Sequence, residues 1–334
     1  MVIASAPGKV TLFGEHAVVY GEPAIVMAIN KRTYVEMKVR DDSKIRINAP
    51  DIIIRGITLT FDNNTFSIES DSTKILSELS YITKAVELVS KKASTFKGVD
   101  IKVWSEMPVG AGLGTSASIA VATIKAYSEI LGLKLEEKDI AFLGWQTELA
   151  IQGIASPMDA TITTYGGIIQ VQLINNNITI EKIYTPTKLP IIIGYVPREY
   201  KTKDMVARVR SLKEKYSDVV TSIITTIGNI TRKAKQALEY GNLNEIGDLM
   251  NINHGLLEAL GVSTKQLNDM VYAARKAGAL GSKLTGAGGG GCIIALAPKQ
   301  TENVTLAIRS VGGQTLESDI SEKGVIMVNK FQDR

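Results

Sequence analysis

Cysteine and histidine are scarce in this chain. Its single thiol, Cys292, excludes an intramolecular disulfide. With only His16 and His254 beside it, a zinc site of four cysteines, or of two cysteines and two histidines, is excluded as well. Cys292 opens the apolar stretch 292–297 and reads as a small buried hydrophobe rather than a nucleophile. Long apolar runs are missing, since none approaches the roughly 18 residues that suggest a membrane span. Residues 1–9 lack the basic start and apolar run of a secretory signal. A cytoplasmic protein with no membrane partner is expected. Charge of one sign is missing too. The 38 basic and 34 acidic residues are interspersed, with a formal net charge of +4 and no long block of one sign. Without the Lys/Arg clustering of a nucleic-acid binder, no nucleic-acid partner is expected.

What is present is an ordinary globular composition, 45% apolar and 22% charged, over 334 residues, a length comfortable for two domains. The first third reads as strands. Segments 10–13, 24–29, 33–39, 44–48, 57–61 and 99–104 are rich in Val, Ile and Thr and bounded by Gly, Pro, Asn or Asp. Helical spacing predicts helices over about 74–92, 116–131 and 138–152, followed by strands 167–173 and 178–183. Beyond a strand at 190–196 the chain reads as mostly helical, over about 204–216, 219–240, 243–260 and 263–277. A strand at 292–297, a helix at 302–311 and strands near 314–317 and 324–328 complete it. The pattern predicts two α+β domains, 1–186 and 187–334.

Three segments carry chemistry. The first, Pro108-Val109-Gly110-Ala111-Gly112-Leu113-Gly114-Thr115-Ser116-Ala117-Ser118, follows a predicted strand and opens a predicted helix. Its glycines let the backbone come close to a ligand. Unpaired amides and the dipole at the helix start favour an anion there. Thr115, Ser116 and Ser118 add hydroxyls for phosphate or a metal ion. No Gly-Lys-Ser/Thr follows, so this is not a Walker A loop, and the last glycine spacing is wrong for the dinucleotide fingerprint. Phosphate binding is favoured over a plain glycine-rich turn.

The second segment runs Lys283-Leu284-Thr285-Gly286-Ala287-Gly288-Gly289-Gly290-Gly291-Cys292. Five glycines in six positions are costly in backbone entropy, so tight packing against a ligand or another loop is expected rather than a hinge. The third is Ala6-Pro7-Gly8-Lys9-Val10-Thr11-Leu12-Phe13-Gly14-Glu15-His16, continuing Ala17-Val18-Val19-Tyr20-Gly21. Lys9 follows a Pro-Gly turn, and Glu15 and His16 interrupt an apolar run. A solvated lysine and a satisfied, partly buried histidine are the plain readings of these residues taken alone.

Three such segments in this order and at these separations resemble the GHMP kinases, over essentially the whole chain. Within that family, Ala6–Gly21, Lys283–Cys292 and the group Asn253-His254 with Leu256 and Leu257 are most similar to the mevalonate-phosphorylating branch, of archaeal type. No sugar-specific motif of the galactokinases is apparent near the N-terminus. One departure is Gly153-Ile154-Ala155-Ser156-Pro157-Met158-Asp159, where many of that branch carry Pro-Ser-Gly.

The resemblance implies an N-terminal domain of ribosomal-protein-S5-like fold, a C-terminal ferredoxin-like domain and an active site in the cleft between them. It implies ATP-dependent phosphorylation of (R)-mevalonate in isoprenoid biosynthesis, Mg²⁺ with ATP as co-substrate, and a homodimer. Another kinase of the family, or a silent nucleotide-binding sensor, are the alternatives. By the same resemblance Asp159 is the base on the substrate hydroxyl, faced by Lys9, and Ser116 and Glu148 are the magnesium ligands. The stretch from Pro108 to Ser118 holds ATP. Glu15, His16 and Thr202 lie on the substrate side, with His16 donating to the substrate carboxylate. Gly286, Gly288, Gly289 and Gly290 form a structural loop, and His254 is a packing residue.

Overall fold

The computed structural model describes residues 1–49, 54–62, 65–70, 77–108, 110–153, 155–174 and 177–328. Its first strand, β1 (Val2–Phe13), is buried from Ala4 onward, although Ser5, Lys9 and Thr11 interrupt its apolar pattern. Those polar residues are why only its last four residues read as strand. Next to it runs β2 (Ala24–Val39), one strand where two were expected. The expected gap is a bulge: Arg32 faces Pro7 and Ile29 faces Gly8, so Asn30 and Lys31 lie opposite no residue of β1. The bulge lets β2 change partners. Its Thr33–Val39 half pairs with β6 (Val99–Ser105), and its Ala24–Met27 end pairs with β7 (Ile168–Ile174).

The remaining strands of this sheet are β3 (Lys44–Ala49), β4 (Ile54–Asp62), β5 (Thr65–Ser70), β8 (Asn177–Ile183) and β13 (Ile326–Met327). The order is β13-β1-β2-β6-β3-β4-β5, with β7 and β8 branching from β2. Helix α1 (Ser77–Ala93) precedes β6, which lies parallel to β3; the expected helix start at 74 falls outside the described residues. Helices α2 (Thr115–Leu131) and α3 (Glu137–Gln152) cover the same core as α1, where Ile82, Val86, Ile119 and Leu143 meet Val35 and Val103. A fourth helix, α4 (Met158–Tyr165), was not predicted. Its run of Thr161, Ile162, Thr163 and Thr164 has low helix propensity, and burial of all four overrides it.

The second sheet has the order β10-β11-β9-β12, all antiparallel, from β9 (Ile191–Val196), β10 (Gly281–Thr285), β11 (Gly291–Leu296) and β12 (Gln314–Ser318). Strand β10 was missed because Ser282 and Lys283 disguise it, yet each of its five residues is buried. Helices α5 (Thr202–Lys215), α6 (Ser217–Tyr240), α7 (Leu243–Ala259), α8 (Lys265–Lys276) and α9 (Thr301–Ser310) accompany this sheet. The mixed sheet-and-helix content of both halves is the expected α+β class.

One apolar core joins the two sheets. Val10, Phe13 and Met27 of the first meet Ile193 and Ile294 of the second and Leu238 of α6. Each such side chain contributes roughly 1.5–3 kcal/mol when fully buried. After β12 the chain returns to the first sheet, where Ser321 N–H donates to Ala28 O and Ile326 pairs opposite Ser5. Arg32 fastens this tail by donating to the carbonyls of Lys323 and Gly324. A division at 186/187 puts this tail in the second unit, although it pairs with the first sheet. Among the described residues no helix is long and apolar enough to cross a membrane.

Candidate active site

The three segments singled out from sequence meet at one cleft of about 360 Å³. Lys9 and Thr11 of β1, Glu15 and His16, Gly110, Gly112 and Gly114 with Thr115 to Ala117, Glu148 of α3, Asp159 of α4, and Gly286 with Ala287 all contribute to its walls. The second half of the chain adds Arg198, Thr202, Val206 and Arg210.

Lys9 and Asp159 form the cleft's central pair, with Nζ 2.9 Å from Oδ1. Strand β1 aims Lys9 inward, and its backbone N–H donates to Leu113 O at 2.8 Å, which ties the strand to the glycine run. Gly114 is needed there: a Cβ would lie 2.8 Å from Cγ of Lys9, and φ is +76°. Asp159 stands in the first turn of α4, where the helix dipole favours its negative charge. A carboxylate beside an ammonium, half open to the cleft, can accept a proton from a hydroxyl that the cation also polarises.

Glu148 is buried on α3, and its Oε2 has no hydrogen-bond partner. Burial and then the Asp159 carboxylate raise its pKa well above the usual carboxylate range, against the opposing pull of Lys9. An orphaned buried carboxylate calls for a cation. Ser116, in the first turn of α2, supplies a second oxygen donor on the same cleft. Among the described residues no cluster of three or more His, Cys, Asp or Glu could enclose a metal by itself. The donors present therefore fit an ion that keeps waters and ligand phosphates in its shell, as Mg²⁺ does.

Within the glycine run, side chains alternate between cleft and core. Gly110, Gly112, Gly114, Thr115 and Ser116 line the cleft, whereas Ala111 and Leu113 belong to the core shared by the two sheets. Pro108 is not on the cleft wall either. Ser118 is a correction: its hydroxyl donates to Thr115 O and contacts Thr33 Oγ1, both at 2.8 Å, in the buried interior. One helical turn beyond Thr115, it faces the sheet and is not on the cleft wall.

The run of glycines after β10 is packed, as expected. Gly289 N–H donates to Val262 O, and Gly289 O accepts from the N–H groups of Glu199 and Tyr200 at 2.9 and 3.0 Å. At Gly288, with φ +77°, a Cβ would stand 2.1 Å from Val262 O. This platform presents Ala287 O to His16, whose Nε2–H donates to it at 2.9 Å. Because a carbonyl only accepts, Nε2 carries a proton, and burial lowers the ring's pKa. The neutral tautomer with that proton leaves Nδ1 as an acceptor, able to receive a hydrogen bond from a hydroxyl. Donation to a carboxylate, the role that the resemblance implies, needs the protonated ring.

Glu15 is also held. It forms a buried ion pair with Lys283 of β10, and Asn253 Nδ2 lies 3.5 Å from its Oε2. Burial drives both partners toward neutrality, raising Glu15 and lowering Lys283, while each charge supports the other. The pair links residues 268 apart in sequence and clamps the two sheets beside the cleft. Thr202 opens α5 and accepts from Arg198 Nη1 at 2.8 Å. His254 is buried, accepts from Leu284 N–H and is pushed down to about 4 by burial. Cys292 donates to Ala111 O, and burial pushes its thiol up to about 12.

Two cleft residues escaped the sequence reading. Arg198 follows β9 with no pattern to mark it, yet its guanidinium lies so close to Gly112 that a Cβ there would stand 2.3 Å from Nη2. Arg210 carried a usable signal. Thr202, Val206 and Arg210 recur every fourth residue on α5, and all three face the cleft.

Comparison with known proteins agrees with this geometry. Residues 80–167 match the family model of the GHMP kinases N-terminal domain, and residues 234–314 that of the GHMP kinases C-terminal domain. Residues 1–39 match the galactokinase galactose-binding signature, although no sugar motif was apparent in the sequence. That match spans β1, the Glu15–His16 turn and β2, which carry Lys9, Thr11, Glu15 and His16 of the cleft wall. The mevalonate kinase of Pyrococcus furiosus is 46% identical, and that of Thermococcus sibiricus 45% identical, each over 97% of both chains. The crystal structure of L. major mevalonate kinase in complex with R-mevalonate superposes with a TM-score of 0.81 at 26% identity, over 95% of each chain.

Proposed function

This chain belongs to the GHMP kinase family, and from that premise we propose that its cleft carries the γ-phosphoryl group of ATP to the 5-hydroxyl of (R)-mevalonate. The observation that carries this reading is the Lys9–Asp159 pair, set between the amides of the glycine run and the Glu15–His16 turn. Phosphoryl transfer needs positioning, neutralisation of charge and a destination for the hydroxyl proton. Asp159 receives that proton. Lys9 lowers the pKa of the hydroxyl and steadies charge on the group in transfer. The amides from Gly110 to Ser116, at the start of α2, receive the phosphates. Ser116 and Glu148 are the residues that would hold Mg²⁺, which would neutralise phosphate charge there. The neutral His16 ring accepts from a substrate hydroxyl, and the Glu15–Lys283 pair holds the turn that presents it.

Incubation of the chain with MgATP and a panel of alcohols, read by ADP release, tests the reading. Mevalonate should give the highest kcat/KM, ahead of phosphomevalonate, homoserine and galactose. Absence of ADP release with mevalonate would overturn it.

A further inference from the structure

Behind the glycine run, three hydroxyls off the cleft wall form a chain that joins its two ends. Met107, just before the run, donates its backbone N–H to Ser105 Oγ at 3.1 Å. Ser105 Oγ lies 3.2 Å from Thr33 Oγ1, and Thr33 Oγ1 lies 2.8 Å from Ser118 Oγ. Just after the run, Ser118 donates to Thr115 O at 2.8 Å. Thr33 belongs to β2, Ser105 ends β6 and Ser118 stands in the first turn of α2. Thr33 and Ser118 are fully buried.

A carbonyl only accepts, so the direction of every proton follows. Ser118 uses its hydrogen on Thr115 O and therefore accepts from Thr33. Thr33 then accepts from Ser105, which accepts from Met107 N–H. Each hydroxyl donates once and accepts once, all in the same sense, and such a chain strengthens its own members. Its last acceptor is the carbonyl of the Thr115–Ser116 peptide. A trans, planar peptide points its N–H away from its carbonyl. Holding that carbonyl inward leaves the Ser116 amide on the side of the cleft, which Ser116 lines.

A glycine-rich loop has much conformational freedom to lose when it closes on a phosphate. Fixing its two ends beforehand removes part of that loss from binding. Met107 is fixed on its other side as well, because a Cβ on Gly8 would stand 2.1 Å from its Sδ. We propose that Ser105, Thr33 and Ser118 are positioning residues of the nucleotide site, holding the neck of the glycine run in the shape that receives the phosphates. The inference rests on that run binding ATP. Packing alone would be served by a valine at 33 and an alanine at 118.

The test measures MgADP affinity by titration calorimetry without acceptor, and KM for ATP and for mevalonate. The proteins are the wild type, Thr33→Val, Thr33→Ser, Ser118→Ala and the double variant Thr33→Val/Ser118→Ala, each with its folded state checked by urea unfolding. In Thr33→Val and Ser118→Ala, Kd for MgADP and KM for ATP should rise about 3–10-fold, the scale of one net hydrogen bond. KM for mevalonate should stay at the wild-type value. Thr33→Ser keeps the hydroxyl and should bind nucleotide as the wild type does. Thr33→Val leaves Ser105 without its acceptor and Ser118 without its donor. Should it fail to fold, the double variant, which removes both buried partners, should show the same rise. Unchanged nucleotide affinity in folded Ser118→Ala or in the double variant overturns the positioning role, as does an equal rise in KM for ATP and for mevalonate. A wild type that does not bind MgADP overturns instead the nucleotide site on which the inference rests.

Discussion

Glu15 and Glu148 are both 4% exposed, and both border the same cleft, yet they stand in opposite electrostatic situations. Glu15 has Lys283 as a buried counter-ion brought from the far end of the chain. Glu148 has the Asp159 carboxylate as its neighbour, one oxygen without any partner and only the competing charge of Lys9 in its favour. A buried carboxylate with its own cation is complete, and it serves the fold. A buried carboxylate without one is incomplete until a ligand arrives, and it serves the chemistry. Substitutions at the two positions should therefore fail in different ways.

The largest effect is expected beside Glu148. Asp159→Asn should fold normally and lose about 10²–10⁴-fold in kcat, the worth of a positioned base. Near wild-type turnover would remove Asp159 from that role. Lys9→Met should lower kcat more than it raises KM for ATP; the reverse split would assign Lys9 to binding alone.

Next comes the paired carboxylate. Glu15→Gln strands the Lys283 ammonium in the interior and should cost about 3–5 kcal/mol in denaturant unfolding. Adding Lys283→Met should restore much of that stability, because it removes the stranded charge. A double variant no more stable than the single one would show that the pair is not the clamp between the sheets.

Glu148→Gln should do the opposite. Turnover should fall about 10²–10³-fold, the scale of losing one preorganised charged group at the transferring phosphate, with stability at neutral pH unchanged or higher. The sign follows from linkage. Because the folded pKa of Glu148 is raised, the folded state binds the extra proton, and stability falls as pH climbs from about 4.5 through that raised value. Glu148→Gln should lack this descent when unfolding is followed against pH without nucleotide. A parallel pH profile in the two proteins would contradict the orphaned state of the carboxylate. The smallest effect is expected at Cys292. Cys292→Ala should cost about 1 kcal/mol and leave turnover intact, since the inert thiol only packs and donates to Ala111 O.

Both carboxylates were visible in the sequence, but the contrast between them was not. Glu148 was expected as a magnesium ligand, and Glu15 on the substrate side, because the resemblance implies those roles. That Glu15 is satisfied by Lys283 depends on β10, a strand hidden by the lysine whose charge it neutralises. Helix α4 was hidden in the same way, by threonines whose burial outweighs their propensity. Ser118 fits a phosphate-binding pattern by composition alone. Its hydroxyl turns inward because the helix rotates it away from the loop that Thr115 and Ser116 complete.

The order and spacing of three loops, the glycines they require, the exclusion of an intramolecular disulfide and of a cysteine-built zinc site, and the kinase family were all determined by the sequence alone. Glycine spacing and residue type are local properties, and local properties can be read along the chain. The tertiary structure decided which carboxylate is paired and which histidine nitrogen meets a carbonyl. Those are questions of what stands opposite each side chain once it is buried, and the answers come from segments as much as 271 residues apart.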